Sequence, residues 1–363
     1  MFEDSHYSDN PSVNTELLLQ ASWVNRQAAL QQRLEKEHGS LGLGEALASL
    51  HRQQLETGFI KDELRDVQYF RFPGSSYTAD HFRVQFNPAR ARRFKGVGPA
   101  KPPPGSEPIN QGCFLCAENI RWQSRGLELG YRLPKPLDRF KAWMNPFPLA
   151  PCHVILASMI HEPQHWQGDA EQLQLLTSDL IDVVAQIPGW VGFYNGLGAG
   201  ASVPGHLHYQ LVPQSVEQGA FPLEQSLSAF NDQRALDQNQ AADQNKWNES
   251  IYPLRFLHWR GTPEGLKSEV NHHFSNWKNL TAENASANII VLNSVVDETL
   301  DLIFVPRDST RPRAVGLDGV IGSLETLGEI ICSSADELER IKRGEFDYQA
   351  IADMLSQVSI SSS

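Results

Sequence analysis

The sequence predicts an α+β chain rather than a doubly wound parallel sheet, and three observations carry that prediction. Helical and β-rich segments are mixed along the chain without the regular βαβ alternation a parallel sheet requires. Hydrophobic residues make up 40% and charged residues 20%, enough apolar surface for a sizeable core and too little charge for a disordered chain. The length of 363 residues suits two domains, or one domain built from two halves.

The elements follow in order. Leu17 to Leu34 and Leu41 to Leu55 repeat apolar residues at helical spacing among strong helix formers, and read as an N-terminal helical arm. Val67 to Phe86 is aromatic and partly alternating, with Phe82 to Phe86 a strand stopped by Asn87-Pro88. Arg90, Arg92 and Arg93 come next, then Pro99 to Pro108, which proline density makes a surface loop. Cys113-Phe-Leu-Cys116 follows. Phe140 to Pro148 leads into an apolar strand, His153 to Ala157. Asp169 to Gln186 is a helix with an acidic cap at its start. Gly192 to Asn195 is a short strand, and Gly196, Gly198 and Gly200 form a turn before a further strand, His206 to Val212. From Gln214 to Ser250 the composition shifts to Gln, Asn, Asp and Ala, which suits a connection with helical pieces. Beyond it lie two β-rich runs, Asn288 to Asn293 and Leu300 to Val305. Leu324 to Ile341 and Tyr348 to Val358 read as helices. The divisions are an arm (1–65), a first half (66–213), a connecting segment (214–250) and a second half (251–363) that faintly repeats the first.

Composition narrows the function. A net charge of −12 argues against a general nucleic-acid or membrane-surface binder, since both need a basic field, but leaves room for a small anionic substrate held by local arginines. The start, Met1 to Asn14, is polar and acidic, unlike a signal peptide. No apolar run approaches the roughly 18 residues of a membrane span. A cytoplasmic protein is expected. Of the four cysteines, Cys113 and Cys116 read as a metal or redox pair. No thioredoxin-like pattern surrounds them, which disfavours redox. Cys152 and Cys332 read as buried structural residues.

Alternation along a strand places His206, His208 and Gln210 on one face and Leu207, Tyr209 and Leu211 on the other. Three polar groups in a row on one face suit a polar cavity, a metal site or water. A neutral imidazole is a good nucleophile toward phosphorus and a good leaving group afterwards. A carboxamide beside it can donate to a non-bridging phosphate oxygen.

Asn195-Gly-Leu-Gly-Ala-Gly-Ala-Ser-Val-Pro-Gly-His206-Leu-His208-Tyr-Gln210 resembles the active-site segment of the HIT superfamily, in its transferase branch, where glutamine stands in place of the hydrolases' third histidine. That branch holds galactose-1-phosphate uridylyltransferase, diadenosine tetraphosphate phosphorylase and the GDP-hexose phosphorylases, and Ala201-Ser202-Val203 before the histidines is closest in texture to the last. Phe82 to Arg90, Asn145-Pro-Phe-Pro148 through Leu156, and Phe304-Val-Pro-Arg307 with Arg311-Pro312 resemble further family segments. Pro204-Gly205 departs from the asparagine or Asn-Pro that relatives often carry there.

The resemblance implies two HIT-like halves with antiparallel sheets packed by helices, His208 as nucleophile and Gln210 as the group steadying the covalent intermediate. It also implies Asn195, Arg90, Arg307 and Arg311 at the substrate, and Ser202, in the turn before the histidines, is a further substrate-binding candidate. Guanidinium forks pair with phosphate oxygens, so Arg90, Arg92, Arg93, Arg307, Arg311 and Arg313 are the obvious phosphate ligands, Arg90 and Arg307 foremost, with Lys141 a weaker candidate; for any one arginine a solvated surface charge is the simpler reading. Cys113 and Cys116 need two more ligands for tetrahedral zinc. The zinc-bearing uridylyltransferases resemble this chain in supplying them from the positions of His161 and His206, with His165 competing. His272-His273 and Trp247 to Trp277 suit a base or sugar pocket, or plain core. The expected activity is phosphorylase-type nucleotidyl transfer from a nucleoside diphosphate sugar or dinucleoside polyphosphate to phosphate or a sugar phosphate. A HIT-type hydrolase and a non-catalytic, zinc-stabilised nucleotide-binding protein are the alternatives. A homodimer is the form relatives often take.

Overall fold

The computed structural model describes residues 13–360 apart from 62–63, 96–101, 103–106, 237–250, 276, 278–279 and 295–298. The arm is two helices, α1 (Val13–Leu41) and α2 (Leu43–Glu56), joined at Gly42. Their apolar stripes, with Leu30 and Leu34 on one and Leu43, Leu47 and Leu50 on the other, are buried. Strands β1 (Gln68–Pro73) and β2 (His81–Phe86) form a hairpin. Then come α3 (Ala117–Gln123), β3 (Tyr131–Arg132), β4 (Phe140–Met144) and β5 (Val154–Ser158). Helix α4 (Ala170–Val184) starts where Asp169 accepts the N–H groups of Glu171 and Gln172, the expected cap. Strands β6 (Trp190–Asn195) and β7 (His208–Pro213) lead to α5 (Pro222–Leu236). The second half adds β8 (Leu257–Gly261), α6 (Pro263–Ser275), β9 (Ala285–Asn293) and β10 (Leu300–Asp308). It closes with α7 (Ser323–Thr326), β11 (Glu329–Cys332), α8 (Ala335–Lys342) and α9 (Tyr348–Val358).

The fold class is α+β as expected. The large sheet runs β3-β4-β5-β7-β6-β9-β10-β8. All its pairs are antiparallel, and the two halves meet inside it where β6 pairs with β9. One face, carrying Leu156, Tyr209, Leu211, Ile289 and Leu302, is buried under α2, α4 and α6. The other face, carrying Phe193, Val212, Ile290 and Ile303, is covered by the small sheet β1-β2-β11 and α9. Among the described residues no helix is long and apolar enough to cross a membrane.

Several expectations need correction. Leu324 to Ile341 is not one helix: α7 lasts one turn, Gly328 leaves it at φ 93°, and Glu329–Cys332 is a strand. The reason is tertiary, since β2 offers an open edge and β11 pairs with it in parallel. The histidine strand starts at His208, so His206 lies just before it rather than on the same pleated face. Phe140–Met144, read as a lead-in, is itself a strand. Trp259 and Trp277 lie in the core beneath α6 and do not line the cavity described below. Trp247, most of Pro99 to Pro108 and the side chains of Arg92 and Arg93 lie outside the described residues.

Arg83 and Glu329 stand directly opposite each other across the β2–β11 pair and form a 3.0 Å ion pair, with side chains 1% and 8% exposed. The pair ties strands from the two ends of the chain. Glu329→Ala leaves a buried guanidinium without its counter-charge, so we expect a loss of roughly 3–5 kcal/mol. Urea denaturation tests this, and a loss below about 0.5 kcal/mol, the range of an ordinary surface change, would show that the pair does not join the halves.

Candidate functional site

Register builds the site. Trp143, Ile155, Gln210 and Phe193 form one row across β4, β5, β7 and β6, and Lys141, Ala157 and His208 form a second row two residues along each strand. Period two puts both rows on the same face. Over that face lies a cavity of about 450 Å³ whose lining includes Arg90, Phe147, Asn195, Ser202 and Gln210; His208, one row further along the same face, is not itself a lining residue. Leu207, Tyr209 and Leu211 point the other way, into the core.

The His208 ring is 3% exposed. Its Nδ1 lies 2.8 Å from the carbonyl oxygen of His206, which can only accept, so Nδ1 carries the proton and donates it there. The lone pair is therefore on Nε2, which meets no hydrogen-bond partner among the described residues. Burial, followed by the nearby His206 charge, lowers the ring's pKa to about 4 against the pull of that carbonyl, so it is neutral near pH 7. Beyond the Phe193–Gln210 pair, β6 and β7 part, and the fully buried carboxamide of Gln164 fills the gap. Its Nε2 donates to the carbonyls of Asn195 (3.0 Å) and His208 (2.9 Å), and its Oε1 accepts from the His208 N–H (2.7 Å).

A second relay fixes Gln210. The N–H of Leu149 donates to His153 Nδ1 (3.1 Å), so the His153 proton is on Nε2, which donates to Gln210 Oε1 (2.8 Å). The Gln210 amide nitrogen is thereby turned away from His153. Burial and then the charge of Arg90 push the His153 pKa down to about 3, which keeps the relay neutral. Arg90 itself donates to the carbonyl of Phe147 at 2.7 Å at the cavity wall.

Asn195 is fixed from the second half. Its Oδ1 accepts from the Ser323 N–H (2.9 Å), Ser323 Oγ (2.7 Å) and Asn288 Nδ2 (2.9 Å). A backbone N–H can only donate, so the oxygen faces Ser323 and the Asn195 Nδ2 is the atom left for the cavity. This crossing needs glycine: a Cβ on Gly200, whose φ is 103°, would lie 2.7 Å from the Cα of Gly322.

Arg307, expected at the substrate, is 2% exposed and does not line the cavity. Its Nη1 donates to Asn288 Oδ1 (2.7 Å) and the Ile321 carbonyl (2.8 Å), placing it behind Asn195. Arg311 donates to the carbonyl of Gln357 in α9. Lys141 is buried over the Trp143 ring, its Nζ 4.3 Å from the centroid. His153, Gln164, Asn288 and Ser323 gave no signal in sequence, because each acts through a partner distant along the chain.

Cys113, Cys116, His161 and His206 converge, with all four ligand atoms within 4.8 Å of one another. His206 Nδ1 lies 3.4 Å from Cys113 Sγ and 3.6 Å from Cys116 Sγ, and His161 Nδ1 lies 3.5 Å from Cys116 Sγ. A tetrahedral zinc, with Zn–S near 2.3 Å and Zn–N near 2.0 Å, puts its sulfur and nitrogen ligands about 3.5 Å apart. His206 Nε2 donates to the Ser158 carbonyl at 2.9 Å, which turns the Nδ1 lone pair to the sulfurs. His165 stands outside the group, against Trp166.

Residues 50–213 match the family model of a domain of unknown function, DUF4922. No curated protein matches the chain significantly. Among solved structures, yeast Ap4A phosphorylase Apa2 is similar at TM-score 0.54 and 15% identity, over 86% of this chain and 97% of that one. The same yeast protein in complex with AMP gives 0.56 and 16%, and in complex with Ap4A 0.53 and 15%, with the same coverage. The chain thus shares its fold with that yeast protein over most of both lengths.

Gln164→Ala would strand the His208 N–H and two carbonyls in a buried gap. We expect a stability loss of roughly 2–4 kcal/mol in chemical denaturation. A loss under about 0.5 kcal/mol would mean the carboxamide does not hold the two strands.

Proposed function

We propose that this chain is a nucleotidyltransferase of phosphorylase type, acting on a dinucleoside polyphosphate or a nucleoside diphosphate sugar through a nucleotidyl group held on His208. The observation that carries the reading is the tautomer of His208, which leaves the Nε2 lone pair uncommitted, on the same sheet face as the cavity-lining Gln210. The likeness in fold to a phosphorylase supports it.

In the first half-reaction the Nε2 lone pair attacks the α-phosphorus. An N–P bond forms, the bond from phosphorus to the bridging oxygen breaks, and its electron pair leaves with the departing phosphate. The ring gains positive character, which the His206 carbonyl steadies through Nδ1–H. The amide N–H groups of Gln210 and Asn195 donate to the non-bridging oxygens, and Arg90 adds a positive charge. Asn288 and Arg307 act at one remove, by aiming Asn195. In the second half-reaction an oxygen of inorganic phosphate or a sugar phosphate attacks the same phosphorus, the N–P bond breaks, and its electrons return to Nε2. Transfer rather than hydrolysis is what Gln210, standing where hydrolases have a histidine, implies by resemblance.

Zinc fits the Cys113–Cys116–His161–His206 group by distance and donor type. It would be structural, fastening the loop before α3 to the segment that leads into His208.

Incubation with ADP-, GDP- and UDP-sugars and with Ap4A, followed by intact-protein mass spectrometry, should reveal one nucleotidyl adduct, absent in His208→Ala. Product analysis should show consumption dependent on phosphate or sugar phosphate. Absence of any adduct and any turnover would leave a binding protein, and products formed equally well without an acceptor would make it a hydrolase. Metal analysis should find one zinc per chain. Cys116→Ser should lose it and lower the melting temperature by on the order of 5 °C or more; a metal-free protein of unchanged stability would remove the ion from the account.

A further inference from the structure

The transfer reading gives Gln210 and Asn195 to the phosphate and leaves the rest of the cavity to the nucleoside. Trp143 shares a row with Gln210 two strands away, a distance of about 10 Å at ordinary strand spacing and close to the length of a nucleoside monophosphate. That far part is apolar, lined by Leu115, Ile120, Trp143 and Ile155. It also holds a carboxylate. Glu128 lines the cavity, is 8% exposed, and has a backbone fixed on both sides: its N–H donates to Ser124 Oγ at 3.2 Å and its carbonyl accepts from Trp23 Nε1 at 2.7 Å. Just beyond it, Gly130 lies so close to Trp143 that a Cβ there would be 2.6 Å from the ring. This places the segment at the β3–β4 end of the site.

Among the described residues the Glu128 carboxylate makes no hydrogen bond and no ion pair. Burial pushes its pKa well above the usual carboxyl range, and the charge of Lys141, itself held over Trp143, pulls it the other way. A buried carboxylate without a partner is costly unless something bound supplies donors. A ligand that brings two donors, together with Lys141, favours the ionised form, and that form offers acceptors only. The bases differ in what they bring to such a group. Guanine presents two adjacent donors, N1–H and the 2-amino group. Adenine and cytosine present a donor beside an acceptor, and uracil a single N–H between two carbonyls.

We propose that Glu128 reads the base and selects guanine, one carboxylate oxygen accepting N1–H and the other the 2-amino N–H. This deepens the proposed function and depends on it only for putting a nucleotide in the cavity. Selectivity comes from both sides: guanine satisfies both oxygens, whereas adenine would bring its N1 lone pair against one of them. Lys141, on the same sheet face as His208, supplies the counter-charge that keeps the site from being purely anionic.

Calorimetric titration of the full-length protein with GMP, IMP and AMP tests this. IMP keeps N1–H and lacks the 2-amino group. We expect the wild type to bind GMP about ten- to a hundred-fold more tightly than either competitor, as removal of a hydrogen bond to a charged group implies. Glu128→Gln should bring all three within about threefold. The wild-type ratio alone decides the matter should the variant fold poorly. Equal binding of AMP and GMP by the wild type, or a GMP preference that survives in Glu128→Gln, overturns the proposal. The two readings fail separately. Selective GMP binding without a His208 adduct from a GDP-sugar upholds the base assignment and sinks nucleotidyl transfer. A His208 adduct formed equally well from ADP- and GDP-sugars sinks the base assignment and spares transfer.

Discussion

One hydrogen bond sets the rest of the site: the His208 Nδ1–H donates to the carbonyl of His206, two residues back. A histidine with that proton committed to its own backbone presents a lone pair at Nε2 and nothing else. Burial keeps the ring neutral, and a neutral ring is the form that attacks phosphorus. Much of the surrounding polar structure serves to hold this geometry. Gln164 stitches β6 to β7 where their own pairing ends. His153 orients Gln210 in the next row of the same face. Each relay ends on a backbone group that can only donate or only accept, so the orientation of every amide and ring follows without ambiguity.

The large sheet explains why two halves are needed. His208, Gln210 and the Cys–His group belong to the first half, whereas Ser323, Asn288 and Arg307 belong to the second. Asn195 stands at the junction: it ends β6, which pairs with β9, and its oxygen is held by second-half donors. Arg307 is a buried cation spent on this scaffold. Burial lowers its pKa to about 10, still well above neutrality, so the charge stands behind the Asn195 amide at the cavity wall without lining the cavity itself. The Arg83–Glu329 pair does a comparable task on the small sheet, clamping the chain's two ends over the second face.

Much of this was legible in the sequence. Apolar spacing marked the arm helices, α4 and α9, and alternation marked β2, because in those segments local pattern and tertiary environment agree. The Cys-x-x-Cys pair was legible through residue chemistry and the two histidines through the resemblance, and the structure brings those four together. The chain hid what depends on contact at long range. Strand β11 reads locally as part of a helix and becomes a strand because β2 has a free edge. Gln164 and His153 are ordinary polar residues until register sets them beside His208 and Gln210. Glu128 carries no motif, and only its burial without a partner singles it out. Arg307 looked like a phosphate ligand from its place at a strand end, and the structure gives it a neighbouring amide to hold instead.

The position of one proton on the His208 imidazole decides whether this site can hold a nucleotide on nitrogen. Nitrogen-detected NMR of the histidine side chains, near neutral pH and with His208→Ala to assign the signal, reads it directly. The predicted result is a neutral His208 ring in the Nδ1–H tautomer, its Nε2 carrying the shift of an unprotonated nitrogen. A ring protonated on both nitrogens near pH 7, or a neutral ring with its proton on Nε2, would contradict the account.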